Sequence, residues 1–335
     1  MKKTLCIVLV FLLALLTFAP FAGATAEDGT PFDGGDGSKA NPFLISTGEQ
    51  LAAVYDYVNE NPAYCFRVTK AIDMSGVDFR PVANKGLPYA GVFDGGRKTI
   101  SNLTIREDSP GWLTAMFRAN EGTIKNVKLV KANIRNTSPS GSLAGGIAGW
   151  NFGTIGNCSI SGTVYAMGKE GYCIAGGIAA VNVRYIQSCT SSATVKTALR
   201  TYSYSGGVAA LNSYDKATKK DCKISLCKNK GYVYGGTAGG ICGQNEGGYI
   251  YQSRNYAKIK ASAKAYAGGI AGTNIKNDGK AGRIKGCRNY QKTITAKRKG
   301  SIVGYNGTGC RVYKDNKVSK SVKTRKIGYG NRRFA

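Results

Sequence analysis

The chain runs to 335 residues, with 47 Lys and Arg against 19 Asp and Glu and no His. That length fits one or two ordinary domains or a single repeat array, which grows without splitting its core. Lack of His excludes metal centres completed by imidazole, and beyond the N-terminus no stretch approaches the ~18 apolar residues of a membrane-spanning helix.

Residues 1–26 read as a secretory signal: Lys2 and Lys3, an apolar run from Leu5 to Leu16, then the small-residue cleavage sites Ala22-Gly-Ala24 and Ala24-Thr-Ala26. Cys6 lies inside the apolar run, not at its end, which argues against a lipoprotein attachment site. Residues 27–90 form an N-terminal leader, a capping helix and the first strands. The Gly- and Asp-rich segment Asp28 to Lys39 reads as a flexible loop; Asp33 and Asp36 lack the spacing of a calcium loop. Ser46-x-x-Glu49 fits a capping box, after which Leu51, Val54, Tyr55 and Val58 share one helical face.

Residues 91–316 are a repeat array. The runs Gly145-Gly-Ile-Ala-Gly-Trp-Asn151, Gly176-Gly-Ile-Ala-Ala-Val-Asn182, Gly206-Gly-Val-Ala-Ala-Leu-Asn212, Gly239-Gly-Ile-Cys-Gly-Gln-Asn245, Gly268-Gly-Ile-Ala-Gly-Thr-Asn274 and Gly300-Ser-Ile-Val-Gly-Tyr-Asn306 align, with a degenerate copy ending at Asn120. Their asparagines are 31, 31, 30, 33, 29 and 32 residues apart, and a half-match at Gly91-Val-Phe-Asp-Gly-Gly96 brings the array to about eight units. A second block, Ile-x-x-apolar, follows each run: Ile100-x-x-Leu103, Ile124-x-x-Val127, Ile155-x-x-Cys158, Ile186-x-x-Cys189, Ile224-x-x-Cys227, Ile250-x-x-Ser253 and Ile284-x-x-Cys287.

A column that accepts Leu, Val and Cys is a core position, where a free Cys acts as a small hydrophobe. No single unit can bury its apolar face alone, whereas stacked units can. The expected fold is therefore all-β: a right-handed parallel β-helix (β-solenoid) of about eight coils with a short N-terminal capping helix. The seven asparagines from Asn120 to Asn306 form a ladder in which αL backbone is tolerated, and Gly145, Gly176, Gly206, Gly239 and Gly268 mark a corner needing positive φ or no side chain. Asn229, Asn255 and Asn289 replace Ile105, Leu129 and Ile160 at a second position. Residues 317–335 make a basic tail, either a last strand or an arm.

The blocks Gly145-Gly-Ile-Ala-Gly-Trp-Asn-Phe-Gly-Thr-Ile-Gly-Asn-Cys158 and Gly239-Gly-Ile-Cys-Gly-Gln-Asn-Glu-Gly-Gly-Tyr-Ile250 resemble the GLUG motif of bacterial surface and adhesin-like proteins. The leader from Phe32 to Leu51 resembles the entry segment that precedes such repeats. The resemblance implies a right-handed parallel β-helix in an extracellular setting and supplies no catalytic residue. No Leu-Pro-x-Thr-Gly sorting signal or C-terminal hydrophobic anchor is found, so localisation reads as secreted, held at the cell surface non-covalently if at all.

Charge gives the functional signal. From Asp215 onward five acids face 28 bases. Ten of these bases, Lys258, Lys260, Lys264, Arg283, Lys285, Arg288, Lys292, Lys297, Arg298 and Lys299, crowd two coils and are the candidate ligand-binding residues for an anionic glycan, wall polymer or nucleic acid. Tyr202/Tyr204, Tyr232/Tyr234 and Tyr249/Tyr251 offer either a stacking face or ordinary strand packing. No catalytic residue, metal set or cofactor motif is read. The alternative is a β-helix enzyme, a lyase or hydrolase on acidic polysaccharide. It needs paired carboxylates, but Asp94, Glu107, Glu121, Glu170, Asp215 and Glu246 are scattered along the chain.

Overall fold

Strand after strand pairs in parallel with its counterpart one turn earlier and one turn later, as the in-register repeats require. The computed structural model describes residues 30–83, 86–108, 113–200, 202–319 and 324–335; the expected signal, residues 1–26, lies outside them. Pro31–Ala335 forms one unit.

Each turn crosses four walls. The first is a ten-stranded sheet running from Phe43–Ile45, Phe66–Val68 and Val92–Asp94 to Arg311–Val312. The second is a bent, 14-stranded sheet, the third a seven-stranded one and the fourth an eight-stranded one ending at Ile327–Gly330. Eight strands of the first wall match the eight expected coils, and two from the leader extend the stack at its start.

Like residues stack. Ile124, Ile155, Ile186, Ile224, Ile250, Ile284 and Val312 are in register and buried. Each such side chain contributes roughly 1.5–3 kcal/mol of transfer free energy. Val127, Cys158, Cys189, Cys227, Ser253 and Cys287 fill the neighbouring column. The nine described cysteines are all buried and unpaired.

The asparagine ladder is continuous. Nδ2 of each donates to Oδ1 of the next, from Asn120 through Asn151, Asn182, Asn212, Asn245 and Asn274 to Asn306, over 2.7–2.8 Å. All seven are buried. Nδ2 also reaches a nearby carbonyl, as Asn182 does to Arg184 at 3.0 Å, which stitches the corner between walls four and one.

Several expectations need correcting. None of the ladder asparagines has positive φ; the left-handed corner is instead Asn126, Asn157, Ser188, Leu226, Gln252 and Gly286, between walls one and two. Gly176 lies outside the left-handed region too, and it is sterically excluded from carrying a side chain: a Cβ would sit 1.8 Å from the Ala179 carbonyl oxygen. Phe93, not Ile100, precedes Ile124 in the isoleucine column, and Gly91-Val-Phe belongs to wall one, not to the Gly-Gly corner. Ile100 stacks with Leu129, so it and not Ile105 precedes Leu129 and Ile160 in the second asparagine column; Ile105 pairs with Ile134 on the next strand. The first unit has separate strands at Thr99–Ser101 and Thr104–Glu107, and counting from Ile100 lands on the second of them.

Helix α1, Gly48–Glu60, is capped by Thr47 and Gln50, one residue later than expected, with Leu51, Val54 and Val58 buried and Tyr55 only half-buried. Tyr57 packs edge-on against Phe32 and Phe43, which seats the helix over the first strand. The leader is no free loop from Pro31 onward. Asp33 N–H donates to the Leu44 carbonyl, and the Asp33 carboxylate accepts from Gln50 at 2.7 Å. At the far end, Lys317–Val318 and Ile327–Gly330 are strands, and Ala335 N–H donates to the Val312 carbonyl, so the described tail is the last partial coil.

Candidate polyanion interface

The second wall carries two-residue strands in which one residue faces solvent and the next faces the core. Lys228–Asn229, Arg254–Asn255 and Arg288–Asn289 stack in register between Thr190–Ser191 and Lys317–Val318. Outside, Lys228, Arg254, Arg288 and Lys317 form an exposed cation ladder with a rung of about 4.8 Å. Inside, Asn229 donates to Asn255 and Asn255 to Asn289, each at 3.0 Å. The Oδ1 atoms accept from Gly231, Ala257 and Gln291 N–H. The second glycine of each Gly-Gly corner makes room for this column: a Cβ on Gly207 would stand 2.2 Å from Asn229 Cγ.

Two residues along, Tyr256 and Tyr290 stack at 4.7 Å between centroids and 2° between planes, both more than a third exposed. A hydrogen bond from Arg288 holds the Tyr290 phenol below its ordinary value. On wall one, Tyr185, Lys223, Tyr249, Arg283 and Arg311 share the outward column. Lys223 lies over Tyr249 at 5.7 Å and over Tyr251 at 5.1 Å, Arg283 over Tyr249 at 4.9 Å, and Lys285 over Tyr313 at 5.4 Å. Such contacts hold cations upright against ring faces.

The ten candidate bases do not form one patch. Arg283 and Lys285 on wall one and Arg288 on wall two flank the same left-handed corner at Gly286. Lys258, Lys260 and Lys292 lie farther along wall two, with Lys260 over Tyr234 at 5.5 Å. Lys264 sits in the turn before wall three; Lys297 precedes, and Arg298 and Lys299 belong to, its strand Arg298–Gly300, where Arg298 covers Tyr266 at 5.5 Å. Crowding in sequence thus becomes dispersion around the coil, because each turn spends its residues on four walls. Sequence reasoning missed Lys228, Arg254 and Lys317. The signal was present: Lys228, Arg254 and Arg288 each stand four residues after the column isoleucine and one before the second-series asparagine.

Few of these charges are neutralised. Among the described residues beyond 214, Lys280–Asp221 at 2.7 Å is the one ion pair. Four of the six acids weighed for catalysis are engaged separately: Asp94 with Lys125 and Asn126, Glu107 with Arg118, Asp215 with Ala217 N–H and Thr218, Glu246 with Ser213 and Gln244. No group of three potential metal ligands occurs among the described residues. A cleft of about 910 Å³ near the helix is lined by Tyr55, Arg80, Arg106, Glu107 and Arg118 among others. Its Arg80 and Arg118 are already paired with Asp56 and Glu107.

No protein-family model matches the chain. It is similar to a protein named "Putative Gly-rich membrane protein" from Evansella cellulosilytica, 26% identical over 150 residues, covering 43% of this chain and 17% of that protein. It is also similar to halomucin of Haloquadratum walsbyi, 29% identical over 162 residues, 44% of this chain and 2% of that protein. The chain thus spans less than a fifth of either relative's length. Among solved structures, "a putative immunoglobulin A1 protease from Bacteroides ovatus" superposes with a TM-score of 0.66 at 23% identity, over 79% of this chain and 80% of that one. A structure described as "IgA1 Protease" superposes with a TM-score of 0.55 at 14% identity, over 84% of this chain and 21% of that one. These likenesses establish the parallel β-solenoid. No described helix is long and apolar enough to cross a membrane.

Proposed function

We propose that the chain is a secreted, non-catalytic β-helix module of the surface or adhesion type, built on GLUG-like repeats, that binds an anionic polymer or glycan through the basic edge where walls one and two meet. The observation that carries this reading is the exposed ladder Lys228, Arg254, Arg288 and Lys317 beside Arg283 and Lys285, without an ion-pair partner among the described residues. Stacking cations one rung apart repel one another, and a polyanion relieves that repulsion while releasing its own counterions. The relative named as a membrane protein supports a setting at the cell envelope.

Heparin chromatography tests the reading. Wild type elutes at high salt, whereas Arg254→Glu/Lys285→Glu/Arg288→Glu elutes at clearly lower salt than a triple Lys→Glu variant made elsewhere on the basic half, with its melting temperature kept. Wild-type elution at low salt would overturn the proposal and leave the bases as solubilising decoration.

A further inference from the structure

Resting on that reading, we infer that the polymer is an anionic polysaccharide with one acidic group per sugar, lying parallel to the solenoid axis along Lys228, Arg254, Arg288 and Lys317. Three observations point there.

The ladder is regular. Its four cations occupy successive rungs of one outward column, so their anchor points repeat every ~4.8 Å along the axis. An extended pyranose chain advances by close to one such rung per sugar. A polymer with an acid on every ring meets a cation at every rung; one with an acid on alternate rings leaves every second cation unmatched.

The rungs are fixed from behind. Asn229, Asn255 and Asn289 bond to one another at 3.0 Å directly beneath Lys228, Arg254 and Arg288. The spacing of the anchor points therefore belongs to the backbone and does not adapt to the ligand.

Much of the aromatic face area beside the ladder is already taken. Single-stranded nucleic acid gains its affinity from bases stacked on free rings beside positive charge. Here Tyr256 and Tyr290 cover each other at 4.7 Å, Tyr249 is covered by Lys223 and Arg283, and Tyr251 by Lys223. Flanking the ladder, the stacked pair offers its edges, its hydroxyls and one outer face on each ring, and edges and hydroxyls suit oxygen-rich rings.

The test compares ligands of equal charge and unequal spacing: tetragalacturonate, with four carboxylates on four sugars, and the hyaluronan octasaccharide, with four carboxylates on eight. Poly(dT) and heparin run in parallel, by calorimetry across a salt series on the mature chain. Expected is tighter binding of tetragalacturonate than of either the hyaluronan octamer or poly(dT), with little gain for longer galacturonate chains. Arg254→Gln/Arg288→Gln should flatten the dependence of log affinity on log salt by about one unit per cation removed. It should also erase the preference between the two oligosaccharides while leaving the melting temperature unchanged. Equal binding of the two oligosaccharides, tighter binding of poly(dT), or a double variant indistinguishable from wild type would overturn the inference while heparin retention upholds the broader reading. Failure of heparin and all three probes to bind at low salt would overturn both.

Discussion

Asn255 donates its amide Nδ2 to Oδ1 of Asn289 across 3.0 Å, and the residue immediately before each of them, Arg254 and Arg288, faces solvent. Each of these strands therefore does two jobs in two residues. The buried amide fixes its place in the stack, and that place fixes where the next cation stands.

The first ladder should show its bonding in stability. Asn182→Leu removes the acceptor of Asn151 Nδ2 and the donor to Asn212 Oδ1, both buried. Leaving buried amide groups unpaired costs about 1–3 kcal/mol each. Asn120→Leu should cost less, because Asn120 Oδ1 has no partner among the described residues and only one ladder bond, to Asn151, is lost beside a long 3.4 Å bond to the Gly122 carbonyl. Urea denaturation of the two variants should rank them in that order; equal midpoints would mean that the ladder bonds do not govern stability.

Glycine tolerance should differ sharply between positions. A Cβ on Gly207 would meet Asn229 Cγ at 2.2 Å and the Gly240 carbonyl oxygen at 2.2 Å, whereas one on Gly156 meets nothing closer than Gln187 Cγ at 3.9 Å. Gly207→Ala should destabilise by about 1–3 kcal/mol or more, as overpacking does, and Gly156→Ala should stay within about 0.5 kcal/mol of wild type. Thermal melts of the two single variants decide the matter.

The cysteines set an alkaline limit. Burial pushes the Cys287 thiol up to about 12 from an ordinary 9.0, and raises Cys158, Cys227 and Cys242 for the same reason. The unfolded chain releases these protons first, so between pH 9 and 12 it binds fewer protons than the native state, and stability falls as pH rises. Below pH 9 the contribution is fully present. Native protein should leave its thiols unreactive toward a disulfide reagent at pH 8 and expose all nine after denaturation. Cys287→Val, the residue that the same column carries at Val127, should lessen the loss of melting temperature between pH 9 and 11.

Much of the fold was legible because a parallel stack repeats its choices. Ile155 and Ile186, or Asn151 and Asn182, occupy the same place one turn apart and meet the same environment, so like follows like. The left-handed corner was illegible for the opposite reason. Asn157, Ser188, Leu226 and Gln252 share one backbone conformation with no common side chain, since they point outward and only φ is constrained. The helix start slipped by one residue because Ser46-x-x-Glu49 and Thr47-x-x-Gln50 both fit the capping pattern. Gln50 wins because its side chain accepts from Ser46 and Thr47 N–H and donates to Asp33. The basic site was half-legible: composition located the half of the molecule and the repeat spacing already set Arg288 in line with Arg254 and Lys228, but only the strand pairing showed that Lys317 continues that row and that Arg298 belongs to another wall.

The one-way bonding of the first ladder also bears on how such a chain changes length. Every interior asparagine takes one hydrogen from its predecessor and gives one to its successor, so a whole repeat inserted between Asn182 and Asn212 would be received as one more link, with no amide left over. Deletion closes the relay just as cleanly. The unmatched oxygen stays at Asn120, however many links follow. Copy number is thus nearly free of penalty in this architecture, and duplication of a coil that carries Arg254 or Arg288 lengthens the outer row of charges in step with the inner row of amides.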